Sequence, residues 1–531
     1  MIINKRNPLW SIGALIGALV GLFLGNMLFW MIVGAVIGHL VEKKFSPRKK
    51  EKVVDVKNAY KSVSFWVFLI FFLLLVYFFR PWFHEFFMLF YTHPSVVLAL
   101  LFALISSVLF MKNKKKMAYV AIALVIFFFI VASFNDIIVQ RHIVSDTTYH
   151  LINDLPDASK ARIVPLAVAE RYAKDSLQKS REKMGDFDFV NINNTLIWTS
   201  PRVPDGFILY FTQKVQGIMT VDAEKSSRNT KMISKQLEIG EEIGITDNIY
   251  WKLYKECYLM ELGEIYYIIE DDDILTIAPV IKYKFKFPVM LPYFDGVYVV
   301  GSEGNIKKYS PSEIQNIEYL KNNRAYPEKL ARLYVESYQY HLGIFNAWFL
   351  HKDQIEIADV YGQHNKQPFL MPTNQGLKWI IAAEPYGESY GVFKIFLVDA
   401  VTGKIEMLEM DEDKTLTGPV MVVDYVRKHF PMIDWSRFTI IEPRPYVVNG
   451  KLYWMLSITP NDFAGISHTV FVDSETNNVL SFQTDEAVAR FVSTGQVIKE
   501  DEKQEEGPST QDLIDEIQKK LDELKKIIGE E

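Results

Sequence analysis

The chain reads as a helical membrane block followed by a soluble α+β region of tandem helix and antiparallel-meander repeats, closed by an amphipathic helix. Three observations on its 531 residues lead there. First, charge is divided: residues 1–134 carry 15 Lys/Arg against 4 Asp/Glu, net +11, whereas residues 135–531 carry 43 against 60, net −17. Second, the apolar residues before 135 are gathered into segments of membrane-spanning character. Third, a Trp-to-Asp pattern recurs beyond 135. The whole-chain averages, 49% apolar and net charge −6, hide this division. They exclude a disordered chain, and the single cysteine, Cys257, excludes an intrachain disulfide.

Five apolar segments are expected to form about five membrane helices: 9–25, 27–41, 63–79, 95–111 and 117–134. A hydrocarbon core of about 30 Å needs roughly 20 helical residues, with about 17 as the short limit. The first two segments are short and joined only through Asn26, as a helical hairpin or a re-entrant pair. Gly13, Gly17, Gly21 and Gly25 recur every four residues, and Gly34 and Gly38 repeat the spacing. Such a glycine-zipper face lets helix backbones approach closely in lipid. The face serves either packing within the hairpin or self-association into a ring or pore.

Orientation follows from Lys and Arg. Lys5 and Arg6 precede the first segment, eight basic residues lie between the second and third, and Lys112, Lys114, Lys115 and Lys116 separate the last two. The positive-inside rule puts the N-terminus in the cytoplasm and everything after Phe134 outside a plasma (inner) membrane. No small-residue cleavage site follows the first segment, so it is not expected to be a removable signal peptide. The aromatic stretch 80–94 is expected to lie at the headgroup level.

In the soluble region, LKWIIAAEP (377–385) precedes FKIFLVDAVTGKIEML (393–408), and LYWMLSITP (452–460) precedes HTVFVDSETNNVLSF (468–482). Trp379 and Asp399 are thus 20 positions apart, and Trp454 and Asp473 are 19 apart. A looser copy links Trp198 to Asp222, and a fourth, 274–309, lacks the Trp and has Gly301 in place of the Asp. The Asp residues read as turn-formers, because a carboxylate accepts hydrogen bonds from its own turn. The Trp residues read as core anchors between helix and sheet. Helical spacing over 165–180, 326–340 and 419–430 places a helix before three of the copies.

At these residues the chain resembles the PepSY family, most closely over 410–485. Those are small extracytoplasmic α+β domains with a helix, a β-meander and a closing V-D-x-x-T-G hairpin. Asn477 stands where that motif has Gly. The resemblance implies a binding or regulatory role toward envelope peptidases or cell-wall hydrolases, and it supplies no catalytic residues.

The expected domain order is a hairpin (1–42), a basic cytoplasmic loop (43–62), three transmembrane helices (63–134), two degenerate repeats (135–325), two PepSY-like repeats (326–410 and 411–490), a linker (491–510) and a terminal helix (511–529). In that helix Ile514, Ile517, Leu521, Leu524 and Ile528 fall at alternating a and d positions, suiting either docking or a short coiled coil. No nucleophile elbow, zinc-protease helix, phosphate loop or C-x-x-C is present. No cofactor or metal is expected, and the acidic run Glu270–Asp273 reads as a solvated hairpin tip, with weak divalent-cation binding as its alternative. The net charge of −17 disfavours nucleic acid as a partner of the soluble region. The expected partners are the lipid bilayer and either another protein or further copies of the chain. The expectation is a non-enzymatic, membrane-anchored extracytoplasmic binding or scaffold protein. The alternative is an oligomeric channel or translocation component whose glycine-faced helices assemble a membrane passage.

Overall fold

A computed structural model of the chain describes residues 63–357, 359, 366–387, 391–410 and 416–497. The glycine-zipper positions Gly13, Gly17, Gly21, Gly25, Gly34 and Gly38, and the tail positions Ile514, Ile517, Leu521, Leu524 and Ile528, lie outside the described residues. The chain divides into two compact parts, Met1–Tyr77 and Phe78–Glu531. Helix α1 (Val63–Phe78), sixteen residues without a charge, ends at the boundary residue Phe78 and holds all that is described of the first.

The second part opens with α2 (Arg80–Thr92), α3 (Pro94–Met111), α4 (Lys115–Ser133) and α5 (Asn135–Asp146). Among the described residues, α3 and α4 are the two helices long and apolar enough to cross a membrane. Of the other expected segments, α1 is shorter, at sixteen residues, and the first two lie outside the described residues. Helices α3 and α4 form a hairpin around a Lys112–Lys114 turn in which Asn113 is left-handed, φ +57°. Small side chains let them close together: Ala118 and Ala121 are buried, and the Ser106 hydroxyl donates to the Ala118 carbonyl at 3.1 Å. Helix α2 occupies the stretch expected at the headgroup level. It buries Arg80, His84 and Met88, one face at i, i+4 and i+8, and leaves Trp82 exposed.

Beyond strand β1 (Tyr149–Leu151), the body consists of four helix-plus-sheet modules in chain order. The first has α6 (Leu166–Ser176) and β2 (Asp188–Ile192), β3 (Thr195–Pro204), β4 (Ile218–Asp222) and β5 (Thr230–Ile233). The second has α7 (Ile249–Glu256) and β6 (Tyr266–Glu270), β7 (Asp273–Lys286), β8 (Val289–Val300) and β9 (Ile306–Tyr309). The third has α8 (Glu328–Glu336) and β10 (Phe369–Thr373), β11 (Gly376–Pro385), β12 (Lys394–Asp399) and β13 (Ile405–Glu409). The fourth has α9 (Pro419–His429) and β14 (Phe438–Val448), β15 (Lys451–Pro460), β16 (His468–Asp473) and β17 (Val479–Phe482), and α10 (Asp485–Thr494) follows it. Within each module the four strands pair as an antiparallel meander, and β1 adds a parallel edge to β13. Helix α10 runs to Thr494 and buries Val488, Phe491 and Val492, so the expected start of a linker at 491 falls inside a helix.

Helix α7 has no counterpart among the expected helices. It spans only eight residues, and the Asn248 side chain caps it by accepting from the Tyr250 and Trp251 N–H groups. The central strands are apolar on both faces because the modules pack on one another. One core joins the helices and sheets of the first and third modules, and another joins the opposite face of the third sheet to the fourth module.

Candidate functional site

The three tryptophans occupy one position in three modules. Each is the fourth residue of its module's second strand and sits opposite the valine that precedes the turn Asp: Trp198 faces Val221, Trp379 faces Val398 and Trp454 faces Val472. Each indole N–H donates to the carbonyl two residues before its module's helix. The acceptors are Val164 at 2.9 Å, Tyr326 at 3.1 Å and Thr417 at 2.7 Å. The N–H of each acceptor residue donates in turn to the residue after the turn Asp, namely Ala223, Ala400 and Ser474. Those three residues then donate to Leu196, Leu377 and Leu452, two before each Trp. A closed bracket of three hydrogen bonds thus pins the entry of each helix to its own sheet. In the second module Thr276 faces Val300 at the Trp position, and the indole bond is absent.

Asp222, Asp399 and Asp473 cap their turns. Their Oδ1 atoms accept from the N–H groups of Glu224, Thr402 and Thr476, each at 2.9 Å. Asn477 stands left-handed at φ +62°, the conformation that Gly403 takes at φ +76° in the third module. The acidic run is a hairpin tip, with Asp271 and Asp272 at positive φ between β6 and β7. Among the described residues no cluster of three metal-ligating side chains occurs. His341 Nε2 meets Asp353 Oδ2 at 2.9 Å, twelve positions along the chain.

None of these positions by itself makes the cavity that Trp198 and Trp379 help to line. That cavity, of about 390 Å³, lies where the four modules meet, and each contributes to its wall. The first supplies Asp188 and Trp198, the second Glu264, the third Arg324, Glu328 and Trp379, and the fourth Glu442. Arg162, just ahead of α6, also lines it.

Two buried ion pairs hold this wall. Arg162 Nη2 meets Glu442 Oε2 at 2.8 Å, and Glu442 Oε1 accepts the Leu166 N–H at 2.7 Å. Glu442 takes a left-handed backbone, φ +50°, at a bulge between Ile441 and Arg444. The bulge turns an acidic side chain out of an apolar strand. The Arg162 guanidinium lies 5.2 Å from the ring centres of both Phe189 and Trp198. In the second pair, Arg324 bonds to Asp188, and its guanidinium lies 5.0 Å from the Tyr266 ring. Asn323, beside Arg324, both accepts from and donates to the Asn191 backbone, joining the third module to the first.

Burial pushes the Asp188 carboxyl up to about 6, against the opposing pull of Arg324. Burial, with the Glu264 charge beside it, pushes Glu328 up to about 7. Arg444, fully buried behind Glu442, is lowered to about 10 by burial and by Arg162. The cavity therefore offers guanidinium groups, carboxyl groups that can donate or accept near neutral pH, and aromatic faces. These suit hydrogen-bonded recognition of a charged group carried on an apolar body. The lining residues include no Ser, Cys or His to act as a nucleophile or its base among the described residues.

This site was not legible as a motif, because its residues are scattered from Arg162 to Glu442. The available signal was charge out of place: Glu442 and Arg444 interrupt the apolar strand FTIIEPRPYVV. No family model matches the chain, and neither the curated proteins nor the solved structures hold a match.

Proposed function

We propose that the protein is a membrane-anchored extracytoplasmic binding or scaffold protein built of PepSY-like modules, and that it engages and regulates an envelope peptidase or cell-wall hydrolase. The observation that carries this reading is the cavity at the meeting of all four modules, with its buried Arg162–Glu442 and Arg324–Asp188 pairs. Charge buried at such a junction is costly unless paired and hydrogen-bonded, which marks the junction as a place for polar recognition. Topology supports the location. The basic turn Lys112–Lys116 is at one end of the α3–α4 hairpin, and α2, which joins the other end at His93, packs against β8 of the body. The positive-inside rule then favours a cytoplasmic turn and an external body.

The test is in-cell photocrosslinking of the full chain from Lys366, an exposed residue at the cavity mouth. One discrete partner is expected, with a yield that falls when Glu328→Lys reverses the charge of the wall. A ladder of self-adducts in place of a partner would favour the oligomeric channel. Turnover of peptide or glycan substrates by the purified full chain would replace the non-enzymatic reading.

A further inference from the structure

We infer that the segment Leu342–Leu350 is a second membrane contact, an aromatic wedge that the body inserts into the headgroup region beside the exit of α4. It rests on the reading of α3 and α4 as spanning helices. The segment exposes Leu342 at 49%, Phe345 at 66%, Trp348 at 45%, Phe349 at 64% and Leu350 at 64%. Large apolar side chains gathered this way on one short segment call for a covering surface.

The geometry says what that surface is. Trp348 packs its ring against Phe134, the residue that ends α4, with ring centres 5.8 Å apart. The wedge therefore stands at the level where the chain leaves the hydrocarbon core. Phe and Trp at that level partition into the interface, and Trp favours it because its N–H reaches water or headgroups while its rings stay apolar.

The wedge is held rigidly. Asn346 and Ala347 are buried, and the Asn346 side chain donates to the Lys352 carbonyl at 2.8 Å and accepts the Lys352 N–H at 3.2 Å. His351 turns the chain with a left-handed backbone, φ +52°, and stacks on Tyr386 with ring centres 4.5 Å apart. Behind it, Gln339 donates to Gln140 of α5 at 3.0 Å. The aromatic side chains are thus fixed outward from a clamped base that is tied to the helix following α4. A rigid contact here, together with α2 packed against the body, would set the tilt of the body on the bilayer.

The test uses the full chain in vesicles of phosphatidylcholine and phosphatidylglycerol. Nitroxides are placed singly by Phe349→Cys, Val120→Cys and Met432→Cys in a Cys257→Ala background, and collision with oxygen is compared with collision with a water-soluble nickel chelate. Val120 on α4 reports the lipid, and Met432, 95% exposed on the fourth module, reports the water. The expected result is an oxygen-to-nickel ratio at 349 at least fivefold above that at 432. A ratio at 349 equal to that at 432, with a lipid value at 120, overturns the wedge and leaves the spanning reading standing. An aqueous value at 120 overturns both. The unsubstituted protein gives a second measurement: a headgroup-proximal photoactivatable phospholipid should label the peptide 333–352, and absence of label there while α4 is labelled refutes the wedge.

Discussion

Trp454→Phe tests whether the indole brackets fasten each module locally. Trp454 is fully buried, and its N–H reaches the Thr417 carbonyl at 2.7 Å. Phenylalanine keeps an aromatic ring but removes the donor, leaving a buried carbonyl short of one partner at about 1–3 kcal/mol. The smaller ring also leaves a void of roughly 40 Å³, which at about 24 cal/mol per Å³ adds close to 1 kcal/mol. The sum is about 2–4 kcal/mol. At about 1.4 kcal/mol per tenfold, amide exchange through opening of this bracket should accelerate on the order of 30- to 700-fold. Hydrogen exchange followed by mass spectrometry on the full chain is the assay. Acceleration should appear in the peptides holding Thr417 to His429 and Ser474, whose amide donates at the same bracket. The peptides around Trp198 and Trp379 should keep their protection. Uniform acceleration across all modules would show that the bracket acts on the global fold. A change below about threefold would show that the indole bond contributes nothing net.

Glu442→Ala should cost about 3–5 kcal/mol in the denaturation midpoint of the full chain, because it strands Arg162 and Arg444 in the interior. A loss below about 1 kcal/mol would mean that water reaches the pair. Gly403→Ala forces a left-handed alanine whose Cβ meets the Tyr326 ring, so about 2–4 kcal/mol should be lost. Gly450→Ala is equally left-handed with open space around it and should lose only about 1–2 kcal/mol, which isolates the ring clash. Stability should fall as pH rises from about 5 to about 7.5. Burial raises Glu241 and Glu328 each to about 7 and Asp188 to about 6, so the folded chain holds protons that the unfolded chain has released. Their contribution is complete below the unfolded carboxyl range and is lost through the raised values. Asp399 acts with the opposite sign: burial opposes its charge, but the Thr402 N–H and Lys378 outweigh that and hold it low, so its contribution is present above the usual carboxylate range and is lost as pH falls below it. A melting temperature that climbs from pH 5 to pH 7.5, or a Glu241→Gln, Glu328→Gln double variant with an unchanged slope, would refute this.

Local signals in the chain carried the repeat and its chemistry. A strand that must face a helix with a Trp, and a turn that needs a carboxylate and a left-handed residue, leave the same marks wherever they occur. That is why the modules around Trp198, Trp379 and Trp454 were legible, and why the second module, with Thr276 and Gly301 at those positions, was legible only by its strands. The α3–α4 hairpin was legible for a similar reason, since lipid requires long unbroken apolar runs with basic ends. Tertiary packing alone decided three things. It put α2 against the body through Arg80, over the Trp251 ring, and His84, at the Met260 carbonyl. It brought Arg162, Asp188, Glu264, Arg324, Glu328 and Glu442 to one cavity across 280 positions of chain. It also set the exposed ring of Trp348 beside Phe134. Each depends on how modules stack, and stacking is settled by the summed fit of apolar faces, which leaves no fixed spacing in the sequence.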